Sequence, residues 1–472
     1  MIKFGTDGWR AIIADEFTFQ NVRYCAQGMA EYLMEAGTAL QGIVIGYDTR
    51  FASERFANAA AEVMAGNGIK VYLSSTVVPT QVVSFGALSY RAAGAIVITA
   101  SHNPPEWNGF KIKTSEGASA PPEVETSIEK RLPDIIDQNR VKIVPLEQGL
   151  SEGIIEYVDL YPAYAEQLGK MVDLESIRQA GFKIAVDPMF GAGAGYIKDL
   201  VGSAKTEILE IHAERNPAFP GMKQPEPIAS NLTELAGFVR ENGVDVGVAT
   251  DGDADRVGIV DENGQPLTPL QIFGLLAFYL LEIRGQRGAI VKTVTTTGML
   301  NKLGELYDVP VFETKVGFKH VAPVMAAEGA LVGGEESSGF GYRGHIPERD
   351  GVLSALFILD LMAKTGKKPS ELIEYLYSKV GPHHYHRSDI EFPAADRENI
   401  IRRLTDNMPE LIGGVGVVEV NTVDGYHFRL ADGTWLLMRF SGTEPLLRIY
   451  SEAESLDRAE ALVAEGRQIL QV

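Results

Sequence analysis

The sequence has little cysteine and comparatively few basic residues. Cys25 is the single cysteine among 472 residues, which excludes an internal disulfide framework and fits a reducing, cytoplasmic compartment. Lysine and arginine number 43 against 63 acidic residues, which gives a net charge of −20. Because binding to a nucleic-acid backbone depends on basic surface, this balance argues against nucleic acid as a partner. Because the net negative charge of the chain repels anions, an anionic ligand would need a pocket with a local positive charge.

Long apolar runs are also missing. The longest, "IFGLLAFYLL" (residues 272–281), is too short to span a bilayer and predicts a core helix. Charged residues interrupt the N-terminal "MIKFGTDGWR" before an apolar region can form, so we expect no secretory signal there. We therefore expect no membrane partner. Cys25 lies in a helix-like stretch and is expected to be a packed core residue.

The chain does contain a repeated alternation of helix-like and strand-like segments. Its length predicts several domains, and alternation of this kind is typical of α/β units on mostly parallel sheets. The pattern occurs three times, and from about Pro382 a strand-rich segment with a closing helix replaces it. We predict three α/β domains with mixed or parallel sheets and a C-terminal α+β domain. Their predicted bounds are 1–152, 153–264, 265–378 and 379–472, and "HHYH" (residues 383–386) is expected to be a polar hinge.

In each α/β block, a polar loop follows a short apolar strand. The loops are "TASHN", "TDGDADR" and "GEESSG". Since ligands bind at the carboxyl ends of strands in open α/β sheets, the three loops are expected to converge on one site. Three unrelated turns are the alternative, but each loop carries different chemistry.

The second loop predicts a metal site. Asp251, Asp253 and Asp255 alternate along it, and oxygen ligands of this kind suit a hard cation such as Mg²⁺. A calcium EF-hand loop also places acids at these positions and at Glu262. However, its sixth position must be glycine and is Arg256 here. A solvated acidic turn is a further alternative, although Arg256 points to an anionic ligand beside the metal.

The first loop offers Ser101, a weak nucleophile that needs a base or a metal. The serine-hydrolase pattern G-x-S-x-G is absent, and the ring of the adjacent His102 is expected to point elsewhere. Acyl transfer is therefore not favoured. A serine oxygen with three aspartates would instead complete a Mg²⁺ shell suited to phosphoryl transfer. Lys111 could supply a cation or a proton.

Two further loops supply binding groups. "RFSGTEP" (residues 439–445) offers a guanidinium, hydroxyls and backbone amides, which predicts a phosphate cradle; an ordinary turn is the alternative. "GEESSG" offers carboxylates and hydroxyls that suit sugar hydroxyls. Together the loops imply a substrate with phosphate chemistry at two ends.

Five motifs in this order carry a family resemblance over essentially the whole chain. They are "FGTDGWR", "TASHNP", "DGDADR", "GEESSG" and "RFSGTEP". The chain resembles members of the α-D-phosphohexomutase superfamily, the phosphoglucomutases and phosphomannomutases. The resemblance implies a heart-shaped molecule of four domains with a central cleft.

The resemblance also implies roles for individual residues. Ser101 would carry the phosphoryl group and, with Asp251, Asp253 and Asp255, bind Mg²⁺. Residues expected to line the transferring phosphate are Arg10, His102, Lys111 and Arg256. Residues expected to bind the sugar hydroxyls are Glu335 and Ser337, and those expected to bind the other phosphate are Arg439, Ser441, Gly442 and Thr443. Lys315 and Arg349 lie in segments that are expected to face the substrate.

The expected activity is that of an isomerase interconverting hexose 1-phosphate and hexose 6-phosphate through phosphoserine and a bound hexose 1,6-bisphosphate. Glu336 resembles glucose-directed members, whereas Phe318 stands where many relatives carry a histidine, which leaves the base unassigned. Three alternatives stay open: a synthase that releases the bisphosphate, a phosphatase with Asp251 as nucleophile, and a non-catalytic sugar-phosphate sensor. The expected partners are small sugar phosphates, and the chain is expected to be a monomer or homodimer.

Overall fold

The computed structural model describes residues 2–5, 7–406, 408–441 and 446–471. Among these residues the strands are β1 (Trp9–Ile12), β2 (Ile43–Tyr47), β3 (Val71–Ser74), β4 (Gly94–Ile98), β5 (Trp107–Thr114), β6 (Ile155–Val158), β7 (Lys183–Asp187), β8 (Glu207–Glu210), β9 (Val246–Thr250), β10 (Val257–Val260), β11 (Ile290–Thr293), β12 (Val311–Thr314), β13 (Val332–Gly334), β14 (Phe340–Tyr342), β15 (His384–Glu391), β16 (Leu411–Ile412), β17 (Val415–Asn421), β18 (Tyr426–Leu430), β19 (Trp435–Phe440) and β20 (Leu446–Ala453).

The α-helices are α1 (Phe19–Glu35), α2 (Ser53–Gly66), α3 (Thr80–Ser89), α4 (Pro122–Glu129), α5 (Leu132–Asp137), α6 (Leu146–Ser151), α7 (Tyr161–Met171), α8 (Leu174–Gln179), α9 (Tyr196–Val201), α10 (Thr233–Asn242), α11 (Pro269–Phe278), α12 (Met299–Tyr307), α13 (Phe318–Glu328), α14 (Gly351–Thr365), α15 (Pro369–Val380), α16 (Arg397–Asp406) and α17 (Leu456–Leu470). A π-helical turn, Tyr279–Ile283, extends α11, and short 3₁₀ turns occupy Ala39–Gln41 and Ala394–Asp396.

The chain divides into two compact units. Unit 1 comprises residues 1–267 and 337–370, and unit 2 comprises 268–336 and 371–472. The four predicted domain boundaries stay predictions.

Unit 1 contains two mixed sheets. The first has the strand order β1-β5-β4-β2-β3-β6, in which β5 runs antiparallel to both neighbours and the other pairs are parallel. The second has the order β10-β9-β7-β8, with only β10 antiparallel. The central strands are apolar because both faces are covered; every residue of β2, β4 and β9 is buried.

Unit 2 contains a parallel set of strands and an antiparallel sheet. Strand β11 pairs in parallel with β12 on one side and β13 on the other. The C-terminal sheet has the order β15-β20-β19-β18-β17-β16 and is antiparallel throughout. Helix α17 packs on β20 and β15, where it covers a separate hydrophobic core. The predicted three α/β blocks followed by an α+β domain are confirmed.

Local sequence accounts for where several helices begin. The hydroxyl of Thr18 accepts from the Asn21 amide at the start of α1, and Thr268 with Gln271 forms a capping box at the start of α11. Helix α14 begins after Asp350, whose carboxylate accepts from the Leu353 amide. Each cap satisfies an amide that the first helical turn leaves without a partner.

Two predictions about packing are confirmed and one about a hinge is wrong. Cys25 is fully buried in the core of the first sheet, and residues 272–281, all of them buried, lie within α11 and its π-helical extension. The "HHYH" segment is not a hinge, because β15 begins at His384 and pairs along β20. In the described part of the chain, no helix combines the length and apolar character needed to cross a bilayer.

Candidate active site

The loop between β4 and β5 places Ser101 in an unusual backbone conformation. Ser101 has a φ of 51°, in the left-handed region that non-glycine residues rarely adopt. Its amide donates to the Thr99 hydroxyl over 2.9 Å. The buried Arg50 guanidinium donates to the carbonyls of Ser101 (2.6 Å), Pro104 (2.8 Å) and Trp107 (3.0 Å). These hydrogen bonds from Arg50 stabilise the loop and so offset the strain of the left-handed conformation at Ser101.

The Ser101 hydroxyl faces the metal loop and the neighbouring imidazole. Its Oγ donates to Asp251 Oδ2 over 2.9 Å and lies 3.2 Å from His102 Nδ1. The expectation that the His102 ring would point elsewhere was wrong, because the left-handed turn at Ser101 brings successive side chains to one side. Burial, and then the positive charges of Arg256 and Arg10, hold the pKa of His102 well below its usual value, so its ring is neutral.

The three aspartates converge on the turn between β9 and β10. One oxygen from each of Asp251, Asp253 and Asp255 lies within 4.8 Å of the others, and all three side chains are fully buried. Two strands flank this loop, where an EF-hand would have helices. The structure thus brings Ser101 and the three aspartates together; their role as metal ligands stays a prediction.

The protonation of these aspartates reflects their crowding. Burial and the neighbouring carboxylates raise the pKa of Asp251, and burial raises that of Asp255. Burial would also raise the pKa of Asp253, but Lys111 and the Thr80 hydroxyl lower it below its usual range. Asp253 Oδ1 is buried and accepts no hydrogen bond from the described residues. An all-oxygen set with an unpaired buried oxygen fits a hard divalent cation.

Glycine allows the serine loop and the metal loop to approach each other. A Cβ placed on Gly252 would lie 2.5 Å from the Ser101 carbonyl oxygen. The Gly252 carbonyl also accepts from the Ala192 amide over 2.9 Å. The loop that follows β7 therefore supports the metal loop from a third side, which the sequence analysis did not predict.

Two cationic side chains, Lys111 and Arg349, lie within 3 Å of aspartate oxygens. Lys111 Nζ is 2.8 Å from both Asp253 Oδ2 and Asp7 Oδ2, and Arg349 Nη2 is 2.7 Å from Asp255 Oδ2. Burial would lower the pKa of Lys111, but Asp253 and Asp7 raise it above its usual value. Lys111 is therefore a fixed cation, and it is not a base at neutral pH.

A second buried lysine extends this network. Lys113 Nζ lies 2.6 Å from Glu348 Oε2 and 3.3 Å from Asp7 Oδ1, and it donates to the Ser119 hydroxyl over 2.8 Å. Burial would raise the pKa of Asp7, but Lys111, Lys113 and Arg349 lower it well below its usual value. Asp7 is thus an anion shared by several cations.

The remaining predicted residues of unit 1 surround these loops. Arg10 Nη1 donates to Asn103 Oδ1 over 2.7 Å and to the Ala100 carbonyl over 3.2 Å. Arg256 pairs with Glu226, while its backbone amide donates to Asp251 Oδ1 over 3.1 Å. Ser337 is half-buried. The carbonyl of the next residue, Ser338, accepts a hydrogen bond from the Val257 amide at the start of β10.

Predicted residues of unit 2 lie around the segment 315–317. The Lys315 side chain is exposed, and the Gly317 amide donates to Glu335 Oε1 over 3.0 Å. Glu336, by contrast, accepts from Tyr385 Oη (3.0 Å) and from Arg387 Nη1 (3.1 Å), so its carboxylate is engaged by β15.

The predicted phosphate loop is described in part. Arg439 Nε lies 3.0 Å from Asp424 Oδ2, and the Ser441 carbonyl accepts from Arg397 Nη1 over 2.7 Å. Gly442 and Thr443 lie outside the described residues. Ser337 belongs to unit 1 while Glu335, Lys315 and Arg439 belong to unit 2.

Several residues that contact the predicted groups or their partners, in one unit or the other, were missed from sequence. They are Asp7, Arg50, Thr80, Lys113, Glu226, Glu348 and Asp424. Only Asp7 and Lys113 had a local signal, since Asp7 lies inside the quoted "FGTDGWR" and Lys113 shares a face of β5 with Lys111. The others become functional candidates only through contacts between distant segments.

Comparisons with known proteins match this architecture along the chain. Sequence profiles of phosphoglucomutase/phosphomannomutase match as α/β/α domain I at residues 1–139, domain II at 162–264, domain III at 268–380 and the C-terminal domain at 398–469.

Individual relatives extend over nearly the full chain. A phosphoglucomutase/phosphomannomutase of Thermococcus kodakarensis is 32% identical, covering 99% of this chain and 98% of the relative. A protein of Methanothermobacter thermautotrophicus, provisionally named phosphoglucosamine mutase, is 30% identical, covering 99% and 97%. A crystal structure from Thermus thermophilus, provisionally named phosphomannomutase, is 35% identical with a TM-score of 0.85, covering 100% and 99%.

Sequence identity of this degree over nearly the full length, together with the four domain matches in order, shows the family of the chain. The chain belongs to the phosphoglucomutase/phosphomannomutase family of the α-D-phosphohexomutase superfamily, and it is an isomerase of this mutase type.

Proposed function

We propose that the chain interconverts hexose 1-phosphate and hexose 6-phosphate through a phosphorylated Ser101 and a bound hexose 1,6-bisphosphate. The observation that carries this proposal is the 2.9 Å hydrogen bond between Ser101 Oγ and Asp251, beside two more buried aspartates and the Lys111 cation. A hydroxyl in these surroundings suits phosphoryl transfer, where cations neutralise the charge on the moving group.

Residues Asp251, Asp253 and Asp255 would hold Mg²⁺ together with an oxygen at Ser101. When bound, Mg²⁺ supplies positive charge that neutralises phosphoryl oxygens. The unpaired Asp253 Oδ1 and the all-oxygen donor set support this assignment.

In the proposed first transfer, the bond between Ser101 Oγ and phosphorus breaks as a free sugar hydroxyl oxygen bonds to phosphorus. The proton of that hydroxyl ends on Ser101 Oγ, which then donates to Asp251. The second transfer runs in reverse from the other phosphate of the bisphosphate. Lys111 and Arg349 neutralise charge from fixed positions during both transfers.

We propose glucose phosphates as the preferred substrates. This choice rests on the resemblance of Glu336 to glucose-directed members. Its carboxylate is engaged by Tyr385 and Arg387, so the contacts of Glu336 do not add to that argument. Mannose and glucosamine phosphates therefore belong in the same assay.

The first prediction concerns the nucleophile. Ser101→Ala should reduce conversion of glucose 1-phosphate to glucose 6-phosphate by at least about a thousandfold, because the phosphoryl acceptor is removed. The assay contains Mg²⁺ and is run with and without glucose 1,6-bisphosphate, alongside mannose and glucosamine phosphates. Intact-protein mass spectrometry and peptide mapping should locate a phosphoryl group on Ser101 in the wild type.

Ser89→Ala gives the matched control, since Ser89 is an exposed helical serine that bonds only the Gly86 carbonyl among the contacts described. A Ser101→Ala variant that retains wild-type turnover would disprove the proposed nucleophile. Stoichiometric release of hexose 1,6-bisphosphate would identify a synthase, and phosphate on Asp251 would identify a phosphatase.

A further inference from the structure

Two carboxylates hold consecutive backbone amides of the segment 315–317 in unit 2. The Val316 amide donates to Asp424 Oδ2 over 2.9 Å, and the Gly317 amide donates to Glu335 Oε1 over 3.0 Å. Glu335 directly follows β13, whereas Asp424 lies in the turn between β17 and β18. The segment is therefore fixed at both amides by residues from different parts of the chain.

The same oxygen of Asp424 also reaches the predicted phosphate-binding arginine. Asp424 Oδ2 lies 3.0 Å from Arg439 Nε, and both side chains are mostly buried. The turn is held against β19 by Gly425, which has a φ of 107° and whose Cβ position would lie 2.6 Å from the Met438 carbonyl oxygen. Only glycine fits there, so the position of Asp424 beside Arg439 is determined by the backbone.

We propose that Asp424 is a positioning residue that fixes Arg439 relative to the segment 315–317 and, through it, to Glu335. The inference rests on the proposed function and on the roles expected from the family resemblance, with Arg439 at the phosphate that is not being transferred and Glu335 at the sugar hydroxyls. One carboxylate oxygen, shared by an amide and a guanidinium, sets the distance between these two binding groups.

The charge of Asp424 indicates that it does not bind the substrate itself. A carboxylate repels a phosphate, whereas Asp424 contacts Arg439 at Nε. Among the described residues no ion pair or hydrogen bond involves the two terminal nitrogens of this guanidinium, which are the groups that suit an anion. Holding the guanidinium in advance reduces the conformational entropy that the arginine loses when the substrate binds.

The proposal predicts an effect on binding and a much smaller one on the chemical step. The phosphate on Arg439 is bound equally in the ground state and the transition state, so loss of its alignment raises KM and leaves kcat nearly unchanged. Because either phosphate of the intermediate can occupy this position, KM should rise for both hexose 1-phosphate and hexose 6-phosphate.

The test is steady-state kinetics of Asp424→Ala with the hexose phosphate that the wild type turns over fastest. We expect KM to rise about tenfold in each direction with kcat within about twofold. The inhibition constant of inorganic phosphate, used as a competitor, should rise by the same factor. Asp424→Asn keeps an oxygen for the Val316 amide but removes the charge beside Arg439, and it should raise KM about threefold.

Asp432→Ala is the matched control. Asp432 also lies in a turn of the C-terminal sheet, and it accepts a hydrogen bond from the Thr434 amide over 3.0 Å. The KM of the Asp432→Ala variant should stay within about twofold of the wild-type value. An Asp424→Ala variant with unchanged KM, or with a loss confined to kcat, would overturn the inference. If Asp424→Ala does not fold, the Asp424→Asn variant provides the test, and an unchanged KM in that variant would also overturn the inference. A wild type without activity on any hexose phosphate would instead refute the proposed function.

Discussion

At the scale of single residues, Lys113 is a fully buried lysine whose described contacts include no predicted ligand group. Lys113 is enclosed by Glu348, Asp7 and Ser119. Taking a charge out of water is costly, so a buried ammonium persists only where carboxylates surround it. Sequence reasoning could not find this group, because its partners lie 106 and 235 positions away.

Removing the ammonium tests this account. Lys113→Met should lower the free energy of unfolding by about 3–5 kcal/mol, because Glu348 and Asp7 would be left as buried, incompletely paired anions. Urea denaturation measures the change. The double variant Lys113→Met/Glu348→Gln should recover part of the loss, since it removes one of those charges as well.

The exposed pair Lys70–Glu156 is the matched control, with side chains 32% and 56% exposed. Lys70→Met should cost less than about 1 kcal/mol. Equal costs for the two lysine variants would contradict the view that burial makes the Lys113 network sensitive.

At the scale of elements, the loops after β4 and β9 illustrate what sequence reasoning can reach. Their convergence was predictable, since the carboxyl ends of strands in α/β sheets form binding crevices. The direction of the His102 ring was not predictable, because it depends on the left-handed conformation of Ser101 that Arg50 supports. Strand β15 was mistaken for a hinge because its histidines are polar, whereas its pairing with β20 is a long-range contact.

The close approach of the two loops can be probed at Gly252. Gly252→Ala should lower kcat at least tenfold, because the added Cβ would meet the Ser101 carbonyl at 2.5 Å and must push the serine away from Asp251. Enzyme kinetics under saturating substrate measures the effect.

Gly237→Ala serves as the control, since Gly237 lies in α10 and a Cβ there would meet nothing within 4 Å. It should leave kcat unchanged and stabilise the helix by about 0.5–1 kcal/mol. The account of loop contact is wrong if both alanine variants keep full activity.

At the scale of the whole molecule, burial of ionisable groups makes stability depend on pH. In unit 2, burial and then Lys292 and Arg429 lower the pKa of His427 to about 4. The unfolded chain binds the same proton near pH 6.5. Between these values the unfolded state takes up a proton that the folded state does not, so stability is full above about pH 6.5 and falls as the pH decreases to 4.

The expected loss is about 3 kcal/mol for this residue. Hydrogen exchange of the β18 and β19 amides at pH 6.5 and pH 4 measures the stability of this region. His427→Phe should reduce the pH dependence by about this amount, since the aromatic ring can still pack against Trp435, 5.0 Å away. The exposed His384 of the same sheet offers the control variant His384→Phe, which should keep the wild-type dependence. An unchanged dependence in His427→Phe would rule out His427 as its source.

Arg50 has one more consequence for the proposed cycle. Its guanidinium donates to the main-chain oxygens of Ser101, Asn103, Pro104 and Trp107, and none of these four contacts uses the Ser101 side chain. The loop is therefore anchored whether or not that side chain carries a phosphoryl group. In the proposed cycle, a phosphoryl donor on a loop held in this way would keep its position, so the bisphosphate would have to turn between the two transfers.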